Sequence, residues 1–465
     1  MKERCITIGK MFGVLFVSTI FGALLLTFMY SLPTDKIIDN VNNSLDIYKH
    51  ELDKPHWAGG THGSSVQGYS SIHTNLDNFT DAVMLLKAMY PVEDNAFGEL
   101  LRDLKATGSV EDHAFMAMLL NPSWHMVNVS PIHTLIFAKE DPLKIDSNSV
   151  DTYGFYWHGY LTILKPALMF APVQDLRVLN LYIQMILIAT ALILIYRRLG
   201  LCEMYAFLLV IATINPVTTA MNFQNSDIFY IMLLSTIFIL WKNEFLLRGN
   251  NYIYFFLLIG IVTTYFDFLT YPITGLGIPL CICVMMNKEI FFNVSLKKTF
   301  TKLSSYIFAW GFGYFGMWIG KWAVMYVAAK VYGLKKLSEI FYAAIEHTLY
   351  RFSTTLPPEE GKDTFNALEV FERNFDALMN DPFPILLGLC AIALLYMLIM
   401  HRKNFRPTRG ILVTFGVIAL LPFIWYAVVK NHSWIHAYMT YRNLTIPLFS
   451  LSCFFIASLK KSEEN

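Results

Sequence analysis

Charge is missing from the middle of most long apolar runs in this sequence. Runs of a length to cross a bilayer fall at residues 11–31, 177–196, 203–221, 227–242, 252–266, 269–286, 303–321, 383–400, 410–429 and 442–459. The second to sixth and the eighth to tenth have no Asp, Glu, Lys or Arg in their central portions. Secondary transporters and pumps place ionisable groups or broken helices near the midplane, where substrate and coupling ion bind, so this absence argues against a conduit. Cysteine is also scarce. The six present (Cys5, Cys202, Cys281, Cys283, Cys390, Cys453) avoid the large loops and form no Cys-x-x-Cys, which excludes a disulfide framework and a thiolate metal site. Net charge is only +1, so no basic field invites nucleic acid. Internal repeats and low-complexity tracts are absent as well.

Apolar residues are abundant: 55% of the 465 residues are hydrophobic, 15% are aromatic, and mean hydropathy is +0.45. About 20 such residues cross the roughly 30 Å hydrocarbon layer. The expected fold is therefore an all-α polytopic membrane protein of about ten transmembrane helices, with a long helical first outer loop and juxtamembrane helices. Lys and Arg favour the cytoplasmic side. Placing the N-terminus inside gathers there Lys2/Arg4/Lys10, Arg197/Arg198, Lys242/Arg248, Lys288/Lys297/Lys298/Lys302, Arg402/Lys403/Arg406/Arg409 and Lys460/Lys461. Residues 32–157 show the reverse bias, with seventeen acids against eight Lys and Arg, and so belong outside. The expectation is a multi-pass plasma-membrane protein with both termini cytoplasmic and its working face extracytoplasmic. The apolar run after Lys10 exceeds a signal core and lacks a small-x-small cleavage site, so it reads as a retained anchor.

Five regions follow: residues 1–31, cytoplasmic tail and first span; 32–176, outer loop with an acidic motif and interfacial helices; 177–329, central bundle; 330–382, second outer loop; 383–465, C-terminal spans and short tail. Residues 159–173 (GYLTILKPALMFAPV) are apolar but short. Read as a span they would invert every later loop, so they are expected to lie at the outer interface, bent by Pro166, with Lys165 reaching for head groups or phosphate. An amphipathic brace without chemistry is the other reading. Gly316-x-x-x-Gly320 suits close helix packing.

The chemistry-bearing residues collect at span ends on the outer side. Asp77 and Asp81 sit four apart in NLDNFTDAVML; on one helical face they repel, which moves one toward accepting a proton, unless they simply favour a helix start. His158 lies in the aromatic stretch YWHGY, about two turns from Lys165 if helical. The link KNHSWIHAYMTYR carries His432, His436, Tyr441 and Arg442, donors suited to a phosphate; the His pair alone is a weak zinc site without Cys or Glu. Asn225 and Asp227 in FQNSD, and Asp267 in YFDFLTYP, occupy short outer turns. An acid among so many apolar residues needs a cation or a hydroxyl-rich ligand, or else Arg442 or Lys430 as a rim partner.

Taken together, DNFTDAVML, YWHGY…KP, FQNSD, YFDFLTYP and NHSWIHAYMTYR on this topology resemble the polytopic GT-C glycosyltransferases, in particular uncharacterised members from bacterial envelope-polysaccharide loci. The resemblance implies a polyprenyl-phosphate-linked sugar as donor, a cell-envelope glycan or lipid-linked acceptor, and surrounding membrane lipids. It implies Asp77 or Asp81 as general base with inversion. Arg442, His432, His436, Lys165 and His158 would hold the departing lipid phosphate; Asp267, Tyr441, Asp227 and Asn225 would contact substrate. Some relatives need a divalent cation (Mg or Mn), and the metal ligands here are open. The acidic motif of much of the family follows the first span closely, which makes Asp35 and Asp39 rival bases. A polysaccharide polymerase or ligase stays within this class. Outside it stand a flippase for a lipid-linked precursor, with Asn180, Gln184, Asn215 and Thr218 lining a neutral cavity, and a non-catalytic assembly partner.

Overall fold

A computed structural model describes residues 2–44, 78–89, 156–331, 345–346, 348–355, 364–379, 383–400 and 404–459. Asp77, nearly all of the first outer loop and the turn around Pro357 lie outside the described residues. Helix dominates the rest and no strand is present among the described residues, only two isolated bridges, Thr355 with Thr364 and Phe405 with Leu459.

In chain order the helices are α1 (Lys2–Tyr30), α2 (Asp35–Asn42), α3 (Asn78–Met89), α4 (Leu161–Leu168), α5 (Val173–Arg198), α6 (Leu201–Ile214), α7 (Pro216–Met221), α8 (Phe223–Leu247), α9 (Asn251–Phe266), α10 (Thr274–Met286), α11 (Lys288–Phe292), α12 (Leu296–Val331), α13 (Ala367–Leu378), α14 (Phe383–Met400), α15 (Arg409–Val428), α16 (Lys430–Ile435), α17 (Ala437–Thr440) and, after a 3-10 turn at Tyr441–Leu444, α18 (Thr445–Ser458).

Four helical segments among the described residues are long and apolar enough to cross a membrane: Ile6–Tyr30, Val173–Arg198, Phe223–Leu247 and Arg409–Val428. These four are fewer than the about ten spans expected from the sequence. Helices α6, α9 and α10 have only 14, 16 and 13 residues. At 1.5 Å per residue they reach roughly 20–24 Å, short of a roughly 30 Å hydrocarbon layer. The missing length lies in buried turns that apolar composition disguises. The expected span 203–221 breaks at Asn215, whose φ of +62° ends α6 and whose side chain caps α7 by accepting from Thr218 N at 3.4 Å. The expected span 269–286 begins as a buried irregular turn, and 442–459 begins in the 3-10 turn.

Glycine decides how closely two of these contacts pack. An added Cβ at Gly313 would stand 2.3 Å from the Leu257 carbonyl oxygen, and one at Gly260 would strike the Trp310 carbonyl, so α9 and α12 cross backbone to backbone. Gly316 and Gly320 face Leu15 and Thr19 of α1, as the small-residue spacing leads one to expect. Around the crossing, Tyr252 and Phe256 pack on Tyr306 with ring centroids 5.5 and 5.3 Å apart.

Helix α4 is bedded rather than free-standing. Leu161, Leu164, Lys165 and Leu168 are buried, while Ile163 is 62% exposed. Its C-terminal end is tied to α2 and the residues after it: Asn40 donates to Leu168 O at 2.8 Å, and Val173 N donates to Ser44 Oγ at 2.8 Å. Lys165 does not reach outward. It is fully buried, with Nζ 5.5 Å from the centre of the Tyr30 ring, because its side of α4 is the packed side.

Candidate functional site

Three acids from separate parts of the chain meet at the start of α8. Asp81 of α3 is fully buried; its Oδ2 accepts from Phe223 N at 3.1 Å and its Oδ1 from Gln224 N at 3.2 Å. Arg177 Nη2 stands 4.0 Å from the same carboxylate. The local N-cap residue, Asn222, makes no side-chain cap, so a carboxylate 142 residues earlier in the chain satisfies the orphan N–H groups and the positive end of the helix. Both oxygens of Asp81 are thereby committed.

Asp227, one turn further along α8, is placed differently. The residue is partly exposed in the wall of a cavity, while its Oδ2 is itself buried with no hydrogen-bond partner among the described residues. Asp267, at the C-terminal end of α9, is 4% exposed. Its Oδ1 accepts from Thr270 N at 3.0 Å and from the Thr270 hydroxyl, whereas its Oδ2 has no such partner. Burial pushes the Asp267 carboxyl up to about 6, and the Thr270 bonds only partly oppose this. The charges of Asp81, Asp227 and Asp267 lie within electrostatic reach of one another.

The cavity holds about 390 Å³, within the range of roughly 300–1,000 Å³ typical of small-molecule sites. Helices α3, α4, α5, α8 and α9 form its walls, with Met84, Leu164, Leu179, Ile183, Ile231 and Val262 among the apolar lining and Tyr160, Asn180, Ser226, Asp227 and Tyr230 the polar part. Its rim includes Ile163, Leu179 and Leu234, all more than half exposed, so it opens sideways onto the apolar surface.

Behind the acids, a buried layer fixes the turn that carries Asp267. Tyr271 donates its hydroxyl to Asn225 O, and its ring centre lies 5.7 Å from the Arg442 guanidinium. Arg442 itself donates Nε to Ile214 O and Nη1 to Tyr438 O, each at 3.0 Å, and sits 4.9 Å from the Tyr441 ring centre. Ile214 O closes α6, so the guanidinium caps the negative end of the broken helix. His432 Nε2 donates to Leu269 O at 2.8 Å, and its Nδ1 lies 3.3 Å from Arg351 Nη1. A guanidinium only donates, so this network assigns the His432 proton to Nε2 and makes Nδ1 an acceptor. Leu269, the residue so gripped, has φ +67°, a strained setting for a branched side chain. His436 packs against His432 with ring centroids 4.3 Å apart and planes tilted by 42°.

The expected site residues divide accordingly. Asp81, Asp227, Asp267, Asn225, Tyr441 and Arg442 converge around Tyr271 and the start of α8. His432 and His436 support this cluster from behind. His158 is buried against Phe268, at a ring-centroid distance of 5.3 Å, with φ +53°. Neither it nor Lys165 lines the cavity. Asp35 and Asp39 are exposed on α2, whose inward face is Ile37 and Val41. Asn180 and Gln184 bond across α5, α7 and α8: Asn180 Nδ2 donates to Ala220 O at 2.7 Å, the Thr219 hydroxyl to Gln184 Oε1 at 2.9 Å, and the Tyr230 hydroxyl to Asn180 Oδ1 at 2.6 Å. Among the described residues no group of three or more His, Cys, Asp or Glu is arranged to hold a metal ion.

Tyr271, Arg177, Arg351 and Tyr230 are members of the site that sequence reasoning passed over. Arg177 was legible, being the only cation at the head of an otherwise uncharged run, opposite an acidic motif in need of a partner. No family model, curated protein or solved structure matches the chain.

Proposed function

We propose that this protein is a glycosyltransferase of the GT-C type, with about ten membrane helices, working at the outer face of the plasma membrane on a polyprenyl-phosphate-linked sugar. The observation that carries the reading is the Asp227 carboxylate, with one oxygen unpartnered, in the wall of a laterally open apolar cavity. A base needs an unoccupied lone pair within reach of the hydroxyl it activates. Asp81 is held by two backbone N–H groups and Arg177 and is absent from the cavity lining, so Asp227, with Asp267 beside it, is the base of this proposal, and Asp77 lies outside the described residues. In the reaction, the acceptor oxygen bonds to the anomeric carbon as its proton passes to Asp227. The bond from that carbon to the phosphate oxygen breaks, and the lipid phosphate departs with the electron pair, with inversion. Tyr271 and Arg442 hold the Asp267 turn in register, and Asp81 fixes the helix that presents the base.

Cells expressing Asp227→Asn, with protein level checked, should stop adding the sugar to surface polymer and accumulate lipid-linked sugar. Wild-type incorporation would sink the assignment. Cysteines at Ser353 and Gly249 test the orientation: the first should be labelled from outside, the second only after permeabilisation. The broken helix at Asn215 favours a second reading, a flippase for the same lipid-linked precursor. Purified protein in vesicles separates the two, since a flippase moves the lipid without forming a glycosidic bond.

A further inference from the structure

The character of the cavity constrains which substrate enters it. Its lining combines aliphatic and aromatic side chains with one carboxylate, and among the described residues no Lys, Arg or His lines it. Arg177, the chain neighbour of the lining residue Leu176, is paired with Asp81. Asp267 adds a second carboxyl within electrostatic reach of Asp227 rather than a counter-charge. Among the described residues that line the cavity, no cation would offset a phosphate buried beside these acids. A hydroxyl is favoured, because it can donate in a charge-assisted bond to the Asp227 carboxylate in the cavity wall while its chain lies along Leu179, Ile183 and Leu234 toward the exposed rim.

We infer that this cavity takes the acceptor rather than the phosphorylated donor: an apolar chain ending in a free hydroxyl, set against Asp227. The word acceptor rests on the transferase reading; the preference for a hydroxyl over a phosphate does not.

The test uses the full chain in lipid nanodiscs and two photoreactive probes, farnesol and farnesyl monophosphate, each carrying the same diazirine. The alcohol should crosslink to the cavity wall on α5 and α8 and be displaced by unlabelled farnesol. The phosphate should label about tenfold less, the factor expected for loss of one charge-assisted hydrogen bond. Asp227→Lys should reverse that order. Ile183→Trp, on the exposed rim, should block the alcohol while leaving the thermal unfolding midpoint unchanged, which covers the case in which Asp227→Lys does not fold. Equal or stronger labelling by the phosphate in the wild type, or alcohol labelling that persists in Ile183→Trp, would overturn the inference. Alcohol preference together with wild-type sugar incorporation in Asp227→Asn would keep the inference and remove the transferase. Phosphate preference with incorporation lost in Asp227→Asn would do the opposite.

Discussion

Asp267→Asn should make the protein more stable at neutral pH, although it removes a buried charged group. The Asp267 carboxyl is 4% exposed, with only one oxygen bonded, and burial lifts it from an ordinary 3.8 to about 6. Below pH 3.8 the proton is bound whether the chain is folded or not. Between 3.8 and about 6 the folded form alone keeps it, so stability falls as pH rises through this window, and above 6 the loss is complete. At 1.36 kcal/mol per pH unit, the span from 3.8 to about 6 amounts to about 3 kcal/mol. Asparagine retains an acceptor for Thr270 and carries no charge at any pH. The assay is tryptophan fluorescence during heating of purified protein in detergent, at fixed scan rate, from pH 4 to pH 8. The wild-type midpoint should drop by several degrees relative to the variant between pH 4 and pH 6 and then run parallel to it. Parallel curves over the whole range, or a variant less stable at pH 7.5, would refute the argument.

Other substitutions probe the supports. Asp81→Ala removes the remote cap of α8 and the partner of Arg177; a cap alone is worth about 1–2 kcal/mol, so its unfolding midpoint should fall while that of Asp227→Asn does not. His432→Ala strands the buried Leu269 carbonyl at about 1–3 kcal/mol, and His432→Gln, whose amide nitrogen can replace Nε2, should recover most of that in the same heating assay. Gly313→Ala drives a methyl into the Leu257 carbonyl and should abolish the monodisperse peak in size-exclusion chromatography, whereas Gly311→Ala, with nothing within 4 Å, should leave it intact.

The sequence made some of this readable and hid the rest for physical reasons. Long apolar periods locate α1, α5, α8 and α15, because a helix long enough to cross a membrane must be apolar along its length. Asp227, Asp267 and Arg442 were each visible as polar residues at the ends of bare runs. The break at Asn215-Pro216 carried a turn signal that the surrounding apolar residues outweighed. Hydropathy also ran the tenth span through Arg442 and the sixth through Tyr271, although both belong to turns. The direction of a cation is harder still. Lys165, His432 and Arg442 were expected to face a ligand, yet packing turns each inward, to a ring or a carbonyl, which no one-dimensional pattern records.

Because the first turn of α8 is completed by a carboxylate from a segment far upstream, biogenesis of this protein has an enforced order. The ribosome releases Asp81 long before Phe223 and Gln224, so the upstream segment waits, uncommitted, until the later hairpin arrives, and closing that large loop is a late and slow event. Chains stalled before that point carry the Asp81 carboxylate without the two amide donors that hold it in the finished fold.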